Sequence, residues 1–448
     1  MKITEYVFEN GLKLIYQKRP DPLTAVSIQC CVGSVNEPTK LNGNINLNGI
    51  SHMIEHMMFK GTTNIRDTKG IAKIFDSIGA YFNAYTDKNI TSYTVKSSSE
   101  HIEIIIRTLA DMLMNSLFLK KEFELEKNVV NEEIIRAIDN TAGHLNSEIY
   151  SLYFKGNNLA NSVGGVPKVI SKYDHAEAKK YYKTFYKPSN MVVSICSDLD
   201  IEKIKKTIES SYLITKKSSK FVNTLYTNNN PIAKQVGIRS KAINRKLEQT
   251  HIGLGFRTTN MYNDDKYLLD IARVILAGNM SSRLFTDLRE DRGLTYTIHI
   301  DASEYRPSGH FTILTSVDKN RLIEYNDNGE TKLGALKVIK QSLDTFIKDG
   351  ITQDELDKAK GYIDGKLVLA NEDALNISDY NGKLLAFDHD YIIPIQRLFK
   401  IKYSLITRKA VNDAIKKYFK KDRMSIFLIG DKVSDQIREA VNIFESLD

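Results

Sequence analysis

Tyr-Lys-Pro-Ser-Asn-Met-Val-Val-Ser-Ile-Cys-Ser-Asp at residues 186–198 returns as Phe-Lys-Lys-Asp-Arg-Met-Ser-Ile-Phe-Leu-Ile-Gly-Asp at 419–431, without a gap and 233 residues later. Each copy reads as an apolar strand closed by an Asp-marked turn. A helical pattern precedes each copy (about 174–184 and 407–417) and another follows (about 201–210 and 433–445). Self-similarity at half the chain length means a duplicated domain rather than a solenoid. The length of 448 residues agrees, because a single core rarely serves a chain that long. The expected organisation is two homologous domains, 1–216 and 233–448, joined by a polar, Pro-broken linker at 217–232.

In the first half, strands are predicted near 4–9, 12–17, 24–32, 80–87 and 91–97, with helices near 48–59, 68–78, 99–115, 122–138 and 174–184. In the second, strands are predicted near 249–256, 294–302 and 308–316. Its helices are expected near 263–276, 282–290, 331–348, 352–371 and 406–417. Strands paired through short turns and mixed with helices define an α+β class, each domain a mainly antiparallel sheet with helices on one face.

Composition narrows the function. Hydrophobic residues make up 42% and charged residues 26%, the balance of a soluble globular protein. No apolar run reaches the roughly eighteen residues of a membrane span, so no membrane partner is expected. The first residues read as strand, Asn10-Gly11 turn and strand, not as a targeting peptide. Cys30 and Cys31, adjacent in a strand, point to opposite faces and do not suit a disulfide, and Cys196 is the third cysteine. Together these features predict a reducing, cytoplasmic setting. The net charge of +8 is spread over dispersed lysines without interleaved aromatics, which argues against nucleic acid.

The chemistry is concentrated in His52-Met53-Ile54-Glu55-His56. On a helix, residues four apart share a face, so His52 and His56 can clamp one metal ion, and Glu55 lies close enough to handle the proton of a water there. Two imidazoles do not complete a catalytic zinc site, which takes three protein ligands. The segment Glu126-Lys127-Asn128-Val129-Val130-Asn131-Glu132-Glu133 offers Glu126 and Glu133 two helical turns apart on one face. By itself that pattern reads more readily as a solvated acidic face than as a ligand.

His52-x-x-Glu55-His56 followed by Glu126 and Glu133 resembles the inverzincin metallopeptidases of the pitrilysin and mitochondrial-processing-peptidase type, in their short two-domain branch. Two further stretches carry the resemblance. Gly79-Ala80-Tyr81-Phe82-Asn83-Ala84-Tyr85-Thr86 is similar to the family's substrate-binding edge strand. Met280 to Tyr296 is similar to its S-S-R-L-x-x-x-L-R-E-x-x-G-L-x-Y signature. The resemblance implies one Zn2+ per chain held by His52, His56 and Glu133, with Glu55 as general base and Glu126 supporting the ligands. It also implies Asn83 and Ala84 as substrate contacts, and Arg289 and Tyr296 as donors to the substrate carbonyl and oxyanion. The implied activity is a zinc endopeptidase acting on unfolded peptides or presequence-like segments. The implied assembly is a homodimer, with a heterodimer of homologous subunits as the variant. The rival is a non-catalytic or partner-dependent subunit of such a complex, and this chain keeps all four residues of the metal motif.

Three departures stand out. Ser197 replaces a family glycine, the loop 42–49 is long and Asn-rich, and Gly278-Asn279-Met280 stands where the non-catalytic processing subunit has a glycine-rich loop. His101, His144, His175, His251, His299, His310 and His389 are scattered and read as structural or surface residues. Cys196, in an apolar strand, reads as a buried inert thiol.

Overall fold

A computed structural model describes residues 3–38, 46–215, 231–388 and 392–447. Most of the proposed linker, part of the Asn-rich loop and His389 lie outside them. By contacts the chain divides into two compact units. The first holds Met1–Arg136, Asn161–Asn230 and Leu367–Arg397, and the second holds Ala137–Ala160, Pro231–Lys366 and Leu398–Asp448. Each unit therefore includes one segment from the opposite half of the sequence.

The first unit is built on strands β1 (Ile3–Val7), β2 (Lys13–Lys18), β3 (Leu23–Cys30), β4 (Tyr81–Thr86), β5 (Thr91–Ser98) and β6 (Met191–Ser197), in the order β1-β2-β6-β3-β5-β4. Only β2 and β6 run parallel; the other neighbours are antiparallel. The second unit has β7 (Arg239–Asn244), β8 (Gln249–Arg257), β9 (Ile298–Glu304), β10 (Gly309–Asp318), a separate hairpin of β11 (Glu324–Asp327) and β12 (Glu330–Leu333), and β13 (Met424–Gly430). Its main sheet runs β7-β13-β8-β10-β9, again with one parallel pair, β7 with β13. The α+β class is thus the observed one. The hairpin corrects one boundary, since residues 330–333 are strand rather than the start of the helix expected at 331.

The repeat extends well beyond the strand that announced it. Helices Ile102–Asn115 and Ala335–Lys348, Thr141–Tyr153 and Ala374–Ala386, His175–Phe185 and Arg408–Tyr418, and strands β6 and β13 all begin and end 233 residues apart. Helix Ala374–Ala386 packs on β3 and β6 of the first unit, and Thr141–Tyr153 packs on β8 and β13 of the second. Equivalent helices have been exchanged. Their consequence is visible in burial: every residue of β6 and of β13 is buried, so both faces of each sheet are covered rather than one. Ala25, Cys196, Ala374 and Ile377 form one buried cluster under the exchanged helix of the first unit. Burial pushes the Cys196 thiol up to about 11, as expected of an inert core cysteine. The Ser197 hydroxyl bonds Thr24 Oγ1 at 2.6 Å and accepts from Leu199 N at 3.2 Å, so a side chain shapes the turn that glycine makes in the family.

Helix α1 (Ile50–Met58) carries the metal motif. Helices α2 (Thr68–Ser77), α3 (Ile102–Asn115) and α4 (Lys120–Asp139) follow it. The chain enters α1 through Gly49 at φ +95°, and a Cβ there would lie 2.6 Å from Gly165 Cα. Only glycine meets both demands. Among the described residues no helix is long and apolar enough to cross a membrane.

Gly49→Ala is expected to cost about 1–3 kcal/mol in urea unfolding, from backbone strain plus the clash. Gly79, also left-handed at φ +57° but with nothing within 4 Å of a built Cβ, provides the control. Gly79→Ala should cost clearly less, and equal losses would show that the Gly165 contact contributes nothing.

Candidate metal centre

The site starts from the way α1 is held. Its buried face is Ile50, Met53, Ile54, Met57 and Met58. Its first turn is satisfied by Glu37, whose carboxylate accepts from Gly49 N at 2.7 Å, Ser51 N at 3.0 Å and Asn48 Nδ2 at 3.1 Å. A carboxylate at a helix N-terminus neutralises its unpaired N–H groups. Burial nonetheless pushes the Glu37 carboxyl up to about 7, with those donors pulling the other way.

With α1 fixed, His52 and His56 project together, their Nε2 atoms 3.2 Å apart. Glu133 reaches them from α4: Oε1 lies 3.6 Å from His52 Nε2 and Oε2 lies 3.4 Å from His56 Nε2. A tetrahedral zinc ion with ligand bonds of about 2.0–2.1 Å sets its donors roughly 3.3 Å apart. The three groups converge on that spacing. The donor set, two imidazoles and one carboxylate, is one used by hydrolytic zinc sites. These residues fit the metal that the sequence implies.

Glu126, one face with Glu133 on α4, accepts from His56 Nδ1 at 2.8 Å. That bond puts the ring proton on Nδ1 and turns the Nε2 lone pair toward the other donors. Lys60 Nζ binds the second oxygen of Glu126 at 2.5 Å. Burial alone would raise the Glu126 pKa, and the contacts with His56 and Lys60 reverse this, holding it below the usual carboxylate range. For His56, burial works against protonation, but the Glu126 hydrogen bond prevails and raises the imidazole. His52 goes the other way, lowered to about 4 by burial and by its His56 neighbour, and its Nδ1 is buried with no hydrogen-bond partner among the described residues. Two rings that resist carrying two protons, beside carboxylates, suit a single shared cation.

Glu55 is only 8% exposed, and burial raises its pKa. Thr86 Oγ1 donates to its Oε2 at 2.6 Å. Thr86 ends β4, the sheet's outer strand, so the proposed base is tied directly to that edge. Asn83 and Ala84 lie on the same strand, where Asn83 Oδ1 accepts from Ala84 N at 2.9 Å. Sequence reasoning assigned no role to Lys60 or Thr86. Lys60 had a weak signal, lying four residues after His56 but just beyond the end of α1. Thr86 had none, because only the sheet brings it to Glu55.

Arg289 and Tyr296 belong to the second unit and meet each other. Arg289 Nη1 donates to Tyr296 O at 2.9 Å, and its guanidinium stacks 4.6 Å from the Tyr296 ring centre. The expected helix 282–290 is a short α-turn, Arg283–Phe285, followed by a wider π-turn, Thr286–Glu290. The π-turn sets Arg289 off the α-helical register. Tyr296 is 75% exposed.

The chain is similar to known proteins over most of its length. The insulinase family (peptidase family M16) matches residues 13–166, and the peptidase M16 inactive domain matches residues 172–362. The uncharacterized zinc protease YmxG of Bacillus subtilis is 30% identical over 387 residues, 85% of this chain and 87% of that protein. An uncharacterized zinc protease of Rickettsia felis is 31% identical over 410 residues, 91% and 93% of the two chains. Among solved structures, a protease from Helicobacter pylori superposes with a TM-score of 0.84 at 21% identity, covering 96% of this chain and 99% of that one. A Pseudomonas fluorescens structure described as a peptidase M16 inactive domain gives a TM-score of 0.82 at 20% identity, covering 97% and 98%. The chain belongs to peptidase family M16.

Glu126→Gln leaves all three metal donors in place but weakens the acceptor that orients His56. Metal affinity, measured by competition with a chromogenic chelator, should fall about 10–100-fold. An unchanged affinity would mean that packing alone orients His56.

Proposed function

We propose that the chain is a zinc-dependent endopeptidase that hydrolyses unfolded peptides or presequence-like segments in a reducing intracellular compartment. The observation that carries this reading is the convergence of His52, His56 and Glu133 on one point, with Glu55 buried beside it and bonded to the edge strand. When bound, zinc supplies Lewis acidity toward water and the scissile carbonyl. Glu55 takes the proton of the attacking water and returns it to the leaving amine. Its Oε2 is held by Thr86, and no hydrogen bond to Oε1 is found among the described residues, so one oxygen is anchored and the other is open to the proton. The raised pKa suits a group that must both accept and release a proton. Arg289 and Tyr296 supply donors for the oxyanion. The alternative, a non-catalytic or partner-dependent subunit, draws on the inactive-domain match at 172–362. That match lies outside α1 and α4, which carry the metal motif.

The deciding experiment is metal analysis with peptide digestion. We expect about one zinc per chain, lost in His52→Ala, His56→Ala and Glu133→Gln. Glu55→Gln should keep its zinc and lose most activity. A wild-type protein that binds zinc yet cleaves no peptide would favour the silent subunit.

Substrate binding is proposed to extend the sheet past β4 at Asn83 and Ala84, so that main-chain hydrogen bonds provide affinity with little sequence demand. A peptide N-methylated at alternate positions around the scissile bond should be cut much more slowly than its unmethylated twin. Equal rates would remove strand addition from the mechanism.

The assembly proposed is a homodimer in which the Arg289/Tyr296 pair of one chain serves the metal centre of the other. Homodimers of Glu55→Gln and of Tyr296→Phe should both be weak. In a mixed dimer one site would collect both defects and the other neither, restoring up to about half of wild-type activity. Verified mixed dimers with no recovery would place the pair in the same chain as its metal centre.

A further inference from the structure

The 233-residue repeat allows the second unit to be asked what stands where the first has its metal centre. In the first unit the centre lies among α1, the outer strand β4 and helix α4. The second unit has helix Asp265–Ala277 packed on its own outer strand, β9, and helix Gln353–Ala370 begins 233 residues after α4. At this offset Glu126 corresponds to Ala359 and Glu133 to Lys366. Those exchanges remove both acidic positions, so the metal cannot be held there in the same way.

The place is not filled in. A cavity of about 300 Å³ is lined from these three elements, by Arg273 and Val274 of the first helix, His299 and Ile300 of β9, and Tyr362 and Lys366 of the last. Its lining includes Arg273, His299 and Lys366 and no carboxylate. Arg273 spends one edge on Asp270, at 3.3 Å, and its buried Nε has no hydrogen-bond partner among the described residues. Asp270 is itself engaged by the Tyr403 hydroxyl at 2.7 Å. Lys366 lies 5.5 Å from the Tyr362 ring centre and has no carboxylate partner among the described residues. The remaining wall is apolar. A guanidinium and an ammonium beside an apolar wall suit a carboxylate joined to a hydrocarbon group, and the volume, at the small end of ligand sites, admits one or two residues.

We propose that this cavity binds the C-terminal carboxylate of a peptide ending in an apolar residue, with Arg273 and Lys366 on the carboxylate and Val274, Ile300 and Tyr362 against the side chain. The ligand class rests on the peptidase reading; the preference for a free acid does not. The site is distinct from the metal centre and is built entirely within the second unit.

The test uses the full chain carrying Glu55→Gln and its metal, so that peptide survives. Titration calorimetry compares Ala-Ala-Ala-Leu as the free acid, the same peptide as its C-terminal amide, and inorganic phosphate. The acid should bind about tenfold or more tightly than the amide, as expected for a lost charge-assisted pair. Adding Lys366→Glu or Arg273→Gln should bring that ratio close to one without changing metal content. Should Arg273→Gln fail to fold, Lys366→Glu, at an exposed position, decides alone. A ratio near one in the parent, a ratio untouched by Lys366→Glu, or phosphate displacing the acid at equal concentration would each overturn the assignment. Peptide cleavage by protein retaining Glu55 is read separately. Cleavage without acid preference sinks the cavity proposal alone, and acid preference without cleavage sinks only the peptidase.

Discussion

One buried carboxylate governs the geometry of the first unit. Glu126 sits between His56 and Lys60 and is only 4% exposed. An unpaired charge at that depth would be strongly unfavourable, and His56 on α1 with Lys60 just past its end keep it ionised. The pairing joins α1 to α4 at a fixed rotation of both helices. Because Glu133 lies two turns further along the same face, fixing Glu126 also aims Glu133 at the imidazoles. α4 needs such a lock. Leu125, Val129 and Ile135 are about half exposed, so its apolar residues do not all lie on one buried face. The same bond sets the proton on His56 Nδ1. The placement of the three candidate donors and the His56 tautomer thus follow from one interaction.

The parts of this molecule that were legible in the sequence are those written in local periodicity. His52 and His56 at i and i+4, the Glu126–Glu133 spacing, and the strands β2 to β6 all carry their signal within a few residues. The two exchanged helices carried none, and both were missed. Ala374–Ala386 buries Ser378 and Asn381, which bond to Ser27 and Gln17 across the sheet, and its Gly382 would place a Cβ 2.7 Å from Gln29 Oε1. A helix pressed that closely on a sheet, with polar groups satisfied on its buried side, shows no apolar stripe. Its partner Thr141–Tyr153 lies equally close, where a Cβ on Gly253 would fall 2.6 Å from Leu145. Non-local packing also explains Thr86, whose link to Glu55 exists only after β4 joins the sheet.

The exchanged helix of the first unit reaches the working edge of the sheet. Tyr85, next to Thr86 on β4, donates its hydroxyl to Asp379 at 2.5 Å, and Gln29 Nε2 donates to the same residue at 3.2 Å. Successive residues of a strand face opposite sides. β4 is thereby gripped on one face through Tyr85 and engages Glu55 on the other through Thr86. An outer strand, with one neighbour instead of two, would otherwise be the least constrained element of the sheet. The helix supplied from the distant half of the chain compensates at the strand that the proposed function uses.

The two units then separate what the frame requires from what the chemistry requires. Both keep the sheet with one parallel pair, the 233-residue register of the later helices and the exchanged helix, yet only the first keeps His52, His56, Glu126 and Glu133. The second unit holds the same frame with Ala359 and Lys366 at the two acidic positions, and its corresponding helices close on a cavity instead of a ligand cluster. Its buried carboxylates lie elsewhere, as at Asp270 beside Arg273, and the Glu126 position needs no cation to pair with. The candidate metal centre is accordingly a local feature on a frame that stands without it. The pairing of Glu126 with His56 and Lys60 orients the candidate donors at a cost in desolvation, and the second unit, without those donors, has a methyl group, Ala359, at the equivalent position.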